Sequence, residues 1–402
     1  MNPAKKGRGP RARVARGSAR KSIPYARQTI EKDDIAAVVE VLRSDWLTTG
    51  PKGPAFEKAV AQFTGAPYAV AVTNGTAALH GAMFAAGIGP GDEVIVPAMT
   101  FAASANAVVF QGGTPIFADV DPDTLLLDPA QAEAKITPRT KAIISVDYAG
   151  QPCDYDTLEP LAREHGLLLI ADAAHALGGE YKCRRIGSLA DLTTLSFHPV
   201  KQITTGEGGM VTTARPEFAE AIERFRNHGI TSDHRSRAER GTWFYEMVEL
   251  GYNYRITDMQ CALGLSQLKK LPRWIARRRA IARRYDRAFA SLDTIHPLGV
   301  SPDVKHAYHL YVVRLALELL KGDRATAYSM LREKGIHVNV HYIPVHLHPF
   351  YRKRFGTGPG LCPVAEQAYE QILSIPMYAS LSDGEVDRVI EAMEEVLQAL
   401  AA

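Results

Sequence analysis

Residues 196–209 read Ser-Phe-His-Pro-Val-Lys-Gln-Ile-Thr-Thr-Gly-Glu-Gly-Gly and form the most informative stretch of the chain. They place Lys201 between an apolar strand, Leu192 to Phe197, and a glycine-rich turn. Burial at such a position disfavours the charged form of a lysine and shifts its amine toward neutrality. The stretch therefore indicates an amine that can attack a carbonyl, and not an ordinary solvated charge.

Apolar, β-branched runs recur on both sides of this stretch. They are Tyr68–Val72, Glu93–Val96, Pro115–Val120, Lys141–Val146, Leu167–Asp172, Leu192–Ser196 and Met210–Thr213. Helix-length segments such as Thr76–Ala86 and Tyr155–His165 separate the first five runs. This alternation predicts an α/β fold with a mostly parallel, seven-stranded sheet. Such sheets bind ligands at the carboxyl ends of their strands, where Asp172 and the loop leading to Lys201 fall.

Asp172 ends one of the buried strands, and a carboxylate there is destabilised by several kcal/mol unless it is paired. A protonated pyridine nitrogen is a suitable partner. Together with Lys201 it points to pyridoxal phosphate (PLP), with the lysine forming a Schiff base and Asp172 pairing with the pyridinium nitrogen. His175 lies three residues on and either bonds the cofactor or orients Asp172. A satisfied structural histidine is an equal alternative.

Gly75 and Thr76 follow the first strand and open a helix. A glycine allows close backbone approach, and the positive helix end with a threonine hydroxyl is suited to a phosphate. Ser196 could donate a second hydroxyl to the same phosphate. Phe101 follows the next strand end, where an aromatic ring could stack on the cofactor, although a core phenylalanine is the simpler interpretation in isolation.

The positive charge of the chain is concentrated at its start. Residues 1–21 contain eight lysines and arginines and no acidic residue, whereas the whole chain has a net charge of +3, so the remainder is mildly acidic. We expect residues 1–22 to form a disordered basic tail. A transit peptide is the minor alternative. The acidic remainder has no global attraction for nucleic acid.

The four cysteines, Cys153, Cys183, Cys261 and Cys362, have no paired spacing. This pattern argues against a disulfide framework or a zinc site and fits a reducing cytoplasm. No apolar run is long enough to span a membrane. The late histidines His337, His341, His346 and His348 lie on a mixed strand and a proline-broken loop without supporting carboxylates, so we expect no metal site.

Two further segments organise the chain. The spacing of apolar residues in Asp33–Ser44 predicts an amphipathic helix with Ile35 and Leu42 on its apolar face. Pro272 begins a long helix whose arginines, from Arg277 to Arg284, indicate a solvated helix joining two domains. Strands at Tyr308–Leu315, Ile336–His341 and Ile372–Met377 alternate with helices beyond it. We therefore expect a large PLP-binding domain over residues 23–272 and a small α/β domain over residues 273–402.

The ordered motifs resemble the DegT/DnrJ/StrS sugar aminotransferases, which are PLP enzymes of the aspartate-aminotransferase fold (fold type I). The resemblance is carried by Asn74-Gly75-Thr76, Asp172-Ala173-Ala174-His175, Ser196-Phe197-His198-Pro199-Val200-Lys201, Thr205-Gly206-Glu207-Gly208-Gly209 and Gly251-Tyr252-Asn253-Tyr254-Arg255. It runs from about Ile23 to the C-terminus. Within the family, the Pro24-Tyr25 arm and residues 146–152 are most similar to the transaminase that makes UDP-4-amino-4,6-dideoxy-N-acetyl-β-L-altrosamine for pseudaminic acid.

This resemblance implies roles that spacing alone does not give. Lys201 would bind the cofactor covalently, Asp172 would pair with its ring nitrogen, and Phe101 would stack on the ring. Asn253 would reach the phosphate of the other subunit's cofactor, which implies a homodimer with shared active sites. Positions that would contact the nucleotide sugar are Tyr25, Asp45, Trp46, Leu47, Thr48, His341 and Tyr342.

The implied reaction moves an amino group from L-glutamate to C4 of a UDP-linked 4-keto-6-deoxy-N-acetylhexosamine. Some sugar dehydratases of the family carry histidine at the lysine position, so Lys201 favours transamination. Another nucleotide-sugar aminotransferase, such as a GDP-perosamine synthase-like enzyme, is the alternative within this class. A PLP-fold regulator or scaffold that binds nucleic acid through the basic tail is the alternative from another class.

Overall fold

The central element is a seven-stranded sheet with the strand order β1-β9-β8-β5-β4-β2-β3. A computed structural model describes residues 22–232, 237 and 240–401, so the predicted tail lies, apart from Ser22, outside the described residues. The strands of this sheet are Tyr68–Val72 (β1), Glu93–Pro97 (β2), Thr114–Ala118 (β3), Thr140–Val146 (β4), Leu168–Asp172 (β5), Leu192–Ser196 (β8) and Gly209–Thr213 (β9). The predicted mostly parallel, seven-stranded α/β architecture is confirmed.

One strand, β9, runs against its neighbours. It pairs antiparallel with both β1 and β8, whereas β8, β5, β4, β2 and β3 pair parallel. The strands β2 and β9 are buried along their whole length because helices pack against the sheet. This burial explains why their sequences are continuous apolar runs without alternation.

The helices connect and cover the strands. They span Lys32–Leu42 (α1), Lys52–Thr64 (α2), Gly75–Ala85 (α3), Ala102–Phe110 (α4), Pro129–Glu133 (α5), Tyr155–Glu164 (α6), Pro216–Phe225 (α7), Asp258–Leu268 (α8), Leu271–Phe289 (α9), Arg324–Glu333 (α10), Pro349–Phe355 (α11), Pro363–Gln371 (α12) and Asp383–Leu400 (α13). No helix in the described ranges has both the length and the apolar character needed to cross a membrane.

A second, smaller sheet follows α9. It has the order β10-β12-β13, formed by Ile295–Pro297, Tyr311–Leu315 and Ile372–Ile375. A separate apolar core surrounds this sheet and takes side chains from α9 and α13. A third small sheet joins Val304–Lys305 (β11) to the hairpin Glu180–Tyr181 (β6) and Arg184–Arg185 (β7). The division at residue 272 stays a prediction.

The N-terminal arm lies on the smaller part of the molecule. Ile23 N donates to Gly335 O at 2.9 Å, and His337 N donates back to Ile23 O at 2.9 Å. Met377 N donates to Tyr25 O at 2.9 Å. These bonds fix the direction of the arm and bring Tyr25 toward the carboxyl edge of the central sheet, where its ring lies 5.4 Å from that of His341.

Two local predictions were wrong. Residues 336–341 form no regular strand and make only isolated bridges, Ile23 with Ile336 and Asn339 with Ser374. The predicted helix forms as α1, but Ile35 and Leu42 are 57% and 55% exposed, and the residues that the helix buries are Asp34 and Val41. Asp34 accepts a hydrogen bond from Lys270 Nζ at 2.7 Å, so a polar contact holds the helix where an apolar stripe was expected.

Candidate active site

The polar residues at the carboxyl edge of the sheet come from adjacent strands. Asp172 is the last residue of β5 and Ser196 the last of β8, and these strands pair in parallel. The helix α3 begins against the same edge. A Cβ added to Gly75 would lie 2.9 Å from Ser196 Cβ, so only glycine allows this approach of α3 to β8. The side chain of Asn74 caps the helix by accepting from Ala77 N at 2.8 Å.

This arrangement creates a small polar cup. Gly75 and Thr76 occupy the first turn of α3, where backbone amides have no partner within the helix. The Ser196 hydroxyl lies opposite Gly75, within 3.2 Å of the position of an added Cβ. Amides at the positive end of a helix, together with hydroxyls, are the donors that a phosphate group prefers. The three residues predicted to hold a phosphate are therefore placed together.

Asp172 is buried and has no cationic side chain in ion-pair contact within the described residues. It accepts hydrogen bonds from Ser104 Oγ at 2.7 Å and from Ala174 N at 3.2 Å. Burial raises the pKa of the Asp172 carboxyl, and the two hydrogen bonds and the charge of Lys201 oppose that rise. A carboxylate so placed fits a positively charged ring nitrogen as its missing partner.

Lys201 lies in a loop that closes on the end of β8. Phe197 N donates to Gly208 O at 2.8 Å, and Thr205 N donates to Phe197 O at 3.0 Å. A Cβ at Gly208 would lie 2.1 Å from Thr205 Oγ1, which explains the glycine there. Burial lowers the pKa of Lys201 from 10.5 to about 8, and the charge of Asp172 partly opposes this shift. The amine is thus available as a nucleophile and a base near neutral pH.

Aromatic and imidazole rings form the wall opposite the sheet edge. His175 Nε2 lies 3.1 Å from Tyr342 Oη, and its ring lies 4.3 Å from that of His309. Burial, reinforced by the charges of Lys201 and His341, holds the pKa of His175 well below its usual value. Its Nδ1 is buried without a hydrogen-bond partner. His175 is therefore a neutral imidazole with one nitrogen left for a ligand.

Phe101 precedes α4 and is 58% exposed, and its ring lies 5.8 Å from that of Tyr342. A core phenylalanine would be buried, so the simpler interpretation of this residue is wrong. An exposed ring beside the site fits the predicted stacking on a flat ligand. That role stays a prediction.

The profile of the DegT/DnrJ/EryC1/StrS aminotransferase family matches residues 28–394. The chain belongs to this family. The spore coat polysaccharide biosynthesis protein SpsC of Bacillus subtilis (strain 168) is 44% identical over 378 residues, which are 94% of this chain and 97% of the relative.

Solved structures of other sugar aminotransferases have the same fold. Spr1654 of Streptococcus pneumoniae, assigned as a sugar aminotransferase and solved in its PLP form, is 36% identical, with a TM-score of 0.88 over 95% of this chain and 100% of its own. PseC of Helicobacter pylori, an aminotransferase involved in the biosynthesis of pseudoaminic acid, is 32% identical, with a TM-score of 0.89 over 94% and 100% of the two chains. The predicted fold type I is confirmed.

As a member of the DegT/DnrJ/EryC1/StrS family, the protein is a PLP-dependent sugar aminotransferase. The predicted cofactor is thereby confirmed. The site fits PLP in three ways: Asp172 lacks a cationic partner, Lys201 is half-buried with a lowered pKa, and Gly75 leaves room against Ser196. A specific likeness to the pseudaminic acid enzyme is not established, because other solved structures match this chain about as well as PseC does.

Two segments that were predicted to bind substrate or cofactor lie apart from Lys201 and its neighbours within one chain. Asp45–Thr48 is exposed and packs at the start of α8, where Asp258 N donates to Leu47 O at 3.1 Å. Asn253 is exposed and bridges to Asn227. Within the described residues, no hydrogen bond or ring contact joins either segment to Lys201. Their predicted contacts with substrate and with a second cofactor require another chain or the substrate itself, and they stay predictions.

The late histidines have separate roles. His341 lies at the site, with Nδ1 at 2.8 Å from Ser374 Oγ. His346 is buried elsewhere, with Nε2 at 2.8 Å from Glu366 Oε1. No cluster of three or more metal-binding side chains occurs among the residues that the structure describes.

Sequence reasoning missed three residues of the site. Ser104 donates a hydrogen bond to Asp172, the ring of His309 packs at a tilt against that of His175, and Tyr148 Oη donates to the carbonyl of His341. Tyr148 was noted only as part of residues 146–152. Nothing in the local pattern marks Ser104 or His309, since one lies on an apolar helix and the other precedes an apolar strand. Their roles arise from packing between distant segments.

Proposed function

We propose that the protein transfers the amino group of L-glutamate to C4 of a UDP-linked 4-keto-6-deoxy-N-acetylhexosamine, a step toward pseudaminic acid. The observation that carries this proposal is the half-buried amine of Lys201, whose pKa is lowered, together with the buried carboxyl of Asp172, and this combination favours transamination over dehydration. The likeness to PseC supports the choice of sugar, together with the similarity of residues 24–25 and 146–152 to the pseudaminic acid branch of the family.

PLP, when bound, supplies an electron-withdrawing ring that stabilises negative charge on the carbon losing or gaining a proton. The chain's residues would hold and orient it. Gly75, Thr76 and Ser196 would bind the phosphate, and Asp172 would keep the ring nitrogen protonated. Phe101 would fix the plane of the ring, and His175 would bond its polar edge or orient Asp172.

Lys201 has two tasks in this proposal. Its Nζ would hold the cofactor covalently, and as a free amine it would move a proton to and from the reacting carbon. A pKa of about 8 leaves roughly a tenth of the amine neutral at pH 7, whereas a pKa of 10.5 would leave far less. The buried His175 and His309 and the half-buried Tyr342 would exclude water from this transfer.

The sugar nucleotide would lie against Tyr25, His341 and Tyr342. The rings of Tyr25 and His341 lie 5.4 Å apart, and His341 and Tyr342 are in edge contact at 5.0 Å. Aromatic and imidazole groups suit both the apolar face and the hydroxyls of a sugar. The exposed residues Asp45, Trp46, Leu47 and Thr48 would extend this surface toward the nucleotide.

The proposed enzyme is a homodimer whose subunits share active sites. Residues 243–250 support this, because Trp243, Met247 and Leu250 are 84%, 65% and 70% exposed. Contiguous apolar surface of this kind marks an interaction site on a soluble protein. Asn253 follows this segment and would reach the cofactor phosphate of the partner chain. The free thiols of all four cysteines agree with the cytoplasmic location that we propose.

The decisive experiment is a panel of UDP- and GDP-linked 4-keto sugars, incubated with enzyme and L-glutamate and followed by mass spectrometry of the products. We expect amination of the UDP-linked N-acetyl sugar at C4, and a Lys201→Ala variant should yield no product. Turnover of GDP-linked sugars alone would favour the perosamine synthase-like alternative. Failure with every UDP sugar would reject the proposal.

A further inference from the structure

Gln267 is a buried polar side chain that joins three separate segments of the chain. It lies near the end of α8 and is only 1% exposed. Its Nε2 donates to Thr29 O at 3.0 Å and to Asp34 Oδ2 at 2.8 Å, and its Oε1 accepts from Thr204 N at 3.3 Å. A glutamine amide has two N–H donors and one oxygen acceptor, so every polar group of Gln267 has a partner. Any displacement of this side chain would leave a buried polar group without a partner.

One of these bonds reaches the loop that carries Lys201. Within the described residues, no hydrogen bond or ion pair holds Nζ of Lys201, so the position of the amine depends on how the backbone of the loop is held. On one side, Gln202 Nε2 donates to the carbonyl of His175, which follows β5. On the other side, Thr204 N donates to Gln267, which adds an anchor on α8 three residues after Lys201.

The two donor bonds of Gln267 lead to a well-fixed part of the fold. Asp34 lies in α1 and is fully buried, and its Oδ2 also accepts from Glu31 N at 2.8 Å. Lys270 Nζ donates to Asp34 Oδ1 at 2.7 Å, which pairs the buried carboxylate with a cation. A buried carboxylate held in this way resists displacement, because movement would break its ion pair. Thr29 lies in the N-terminal arm that precedes α1, so Gln267 connects the loop to both the arm and α1.

Gln267 supports the loop and does not take part in the chemistry itself. Its partner in the loop is Thr204 N, and none of its three hydrogen bonds involves the amine of Lys201. Lys201, Thr204, Gln267 and Thr29 line one small cavity between the loop, α8 and the arm. Loss of the bond would remove the acceptor of Thr204 N and allow the loop to shift into this cavity. A shift of about 1 Å at a reacting group can lower a rate by roughly 100-fold.

We infer that Gln267 is a positioning residue for Lys201, which holds the loop so that the amine meets the aldehyde carbon of PLP. In that reaction the neutral amine adds to the aldehyde carbon, and water leaves as the C=N bond forms. The inference rests on the proposed function, since that proposal gives Lys201 its covalent role. Replacement of Gln267 should lower the maximal rate of PLP capture without changing the pH at which capture is half-maximal, because Gln267 does not bond the amine.

The test is stopped-flow mixing of the full-length apoenzyme with PLP between pH 6 and 10, followed through the visible band of the bound cofactor. Gln267→Met keeps the length of the side chain but removes its two donors and its acceptor. We expect its plateau rate at high pH to fall about tenfold or more, with the midpoint unchanged near pH 8. Gln267→Asn is a milder variant, whose amide is one methylene too short to reach all three partners. Its plateau rate should fall about threefold or more.

The matched control is Ser266→Ala, which changes the preceding residue of the same helix. Ser266 Oγ donates to Asp33 Oδ2 at 3.4 Å, so this bond joins α8 to α1 and does not reach the loop. The variant removes a contact between the two helices and leaves the anchor of Thr204 N in place. Its plateau rate and its midpoint should both equal those of wild type.

A folded Gln267→Met enzyme whose plateau rate lies within twofold of wild type overturns the inference. A midpoint that moves toward pH 10.5 does so too, because it would show that Lys201 has become solvated and that Gln267 only supports the fold. If Gln267→Met does not fold, a wild-type plateau in Gln267→Asn overturns the inference. A visible band in Lys201→Ala would reject the proposed covalent role together with this inference. Failure to aminate any keto sugar would reject only the proposed substrate and leave the role of Gln267 intact.

Discussion

At the scale of single residues, burial moves two opposite charges toward neutrality at one sheet edge. Burial lowers the pKa of the Lys201 amine and raises the pKa of the Asp172 carboxyl. Their mutual attraction opposes both shifts but does not cancel them. The site therefore suits a cofactor that can form a covalent bond with the amine and present a positively charged nitrogen to the carboxylate.

This environment predicts how pH controls the capture of PLP by the apoenzyme. Below pH 8 Lys201 is mostly a cation and cannot attack, and each further unit of acidity should slow the reaction about tenfold. Above pH 8 the amine is neutral and the rate should level off. Stopped-flow mixing of apoenzyme with PLP between pH 6 and 10 measures this rate through the visible band of the bound cofactor. A midpoint near pH 10 would contradict the assigned environment, and Lys201→Ala should give no band.

Lys201 and Asp172 could be predicted because each stands at the end of an apolar run, a feature of local sequence. Ser104 and His309 could not. Ser104 reaches Asp172 across 68 positions in the chain, and the carboxylate would be less well bonded without it. Arg278 belongs to the run of arginines predicted to be solvated, yet it is only 2% exposed, because a helical run of arginines shows which residues are charged but not which of them is buried.

At the scale of elements, the junction of α3 with β8 is the part of the fold that most constrains the site. The seven predicted strands were confirmed because a strand buried on both faces leaves an unambiguous apolar run. The strand predicted at residues 336–341 does not form, because this segment pairs with two separate places in the chain. Ile336 makes one isolated bridge to Ile23, and Asn339 makes another to Ser374. Such pairing depends on distant segments and leaves no periodic pattern.

The junction predicts the effect of one methyl group on cofactor binding. In Gly75→Ala the new Cβ would lie 2.9 Å from Ser196 Cβ. Relief of this clash would push α3 away from β8 and widen the polar cup formed by Gly75, Thr76 and Ser196. We expect PLP affinity to fall about tenfold or more, and stability to fall by about 1–3 kcal/mol. Fluorescence titration of the apoenzyme with PLP, with thermal melting alongside, measures both.

The matched control for this change is Gly81→Ala in the same helix. Its added Cβ would meet Ile222 at 3.4 Å, close to ordinary contact, and alanine is favoured over glycine inside a helix. This variant should keep wild-type PLP affinity. Equal affinity losses in both variants would show that the phosphate does not depend on the close approach of Gly75.

At the scale of the whole molecule, two apolar cores are joined through α9 and the N-terminal arm. The smaller core takes in Ile23 from the arm and Ile281 and Tyr285 from α9. The wall of the site comes from both parts, with His175 near the central sheet and His341 bonded to Ser374 of the smaller one. Movement between the two parts would therefore change the shape of the site directly.

The proposed sharing of sites between two chains gives the last prediction. Lys201→Ala removes the amine, and Asn253→Asp would place a negative charge against the partner's phosphate, so each variant alone should be inactive or nearly so. A mixed dimer would contain one complete site, with Lys201 from the Asn253→Asp chain and Asn253 from the Lys201→Ala chain. Random pairing of equal amounts should then restore about a quarter of the wild-type sites in the mixture, and about half in the purified mixed dimer.

Co-expression of the two variants with different affinity tags, followed by the amination assay on the doubly purified dimer, measures this restoration directly. The control is a dimer in which both chains carry Lys201→Ala and each chain has a different tag. It should stay inactive. Restored activity requires that the two residues act across the interface, because no single chain in the mixture has both. A mixed dimer no more active than Asn253→Asp alone would place Asn253 outside the partner's site and leave each subunit with a complete site of its own.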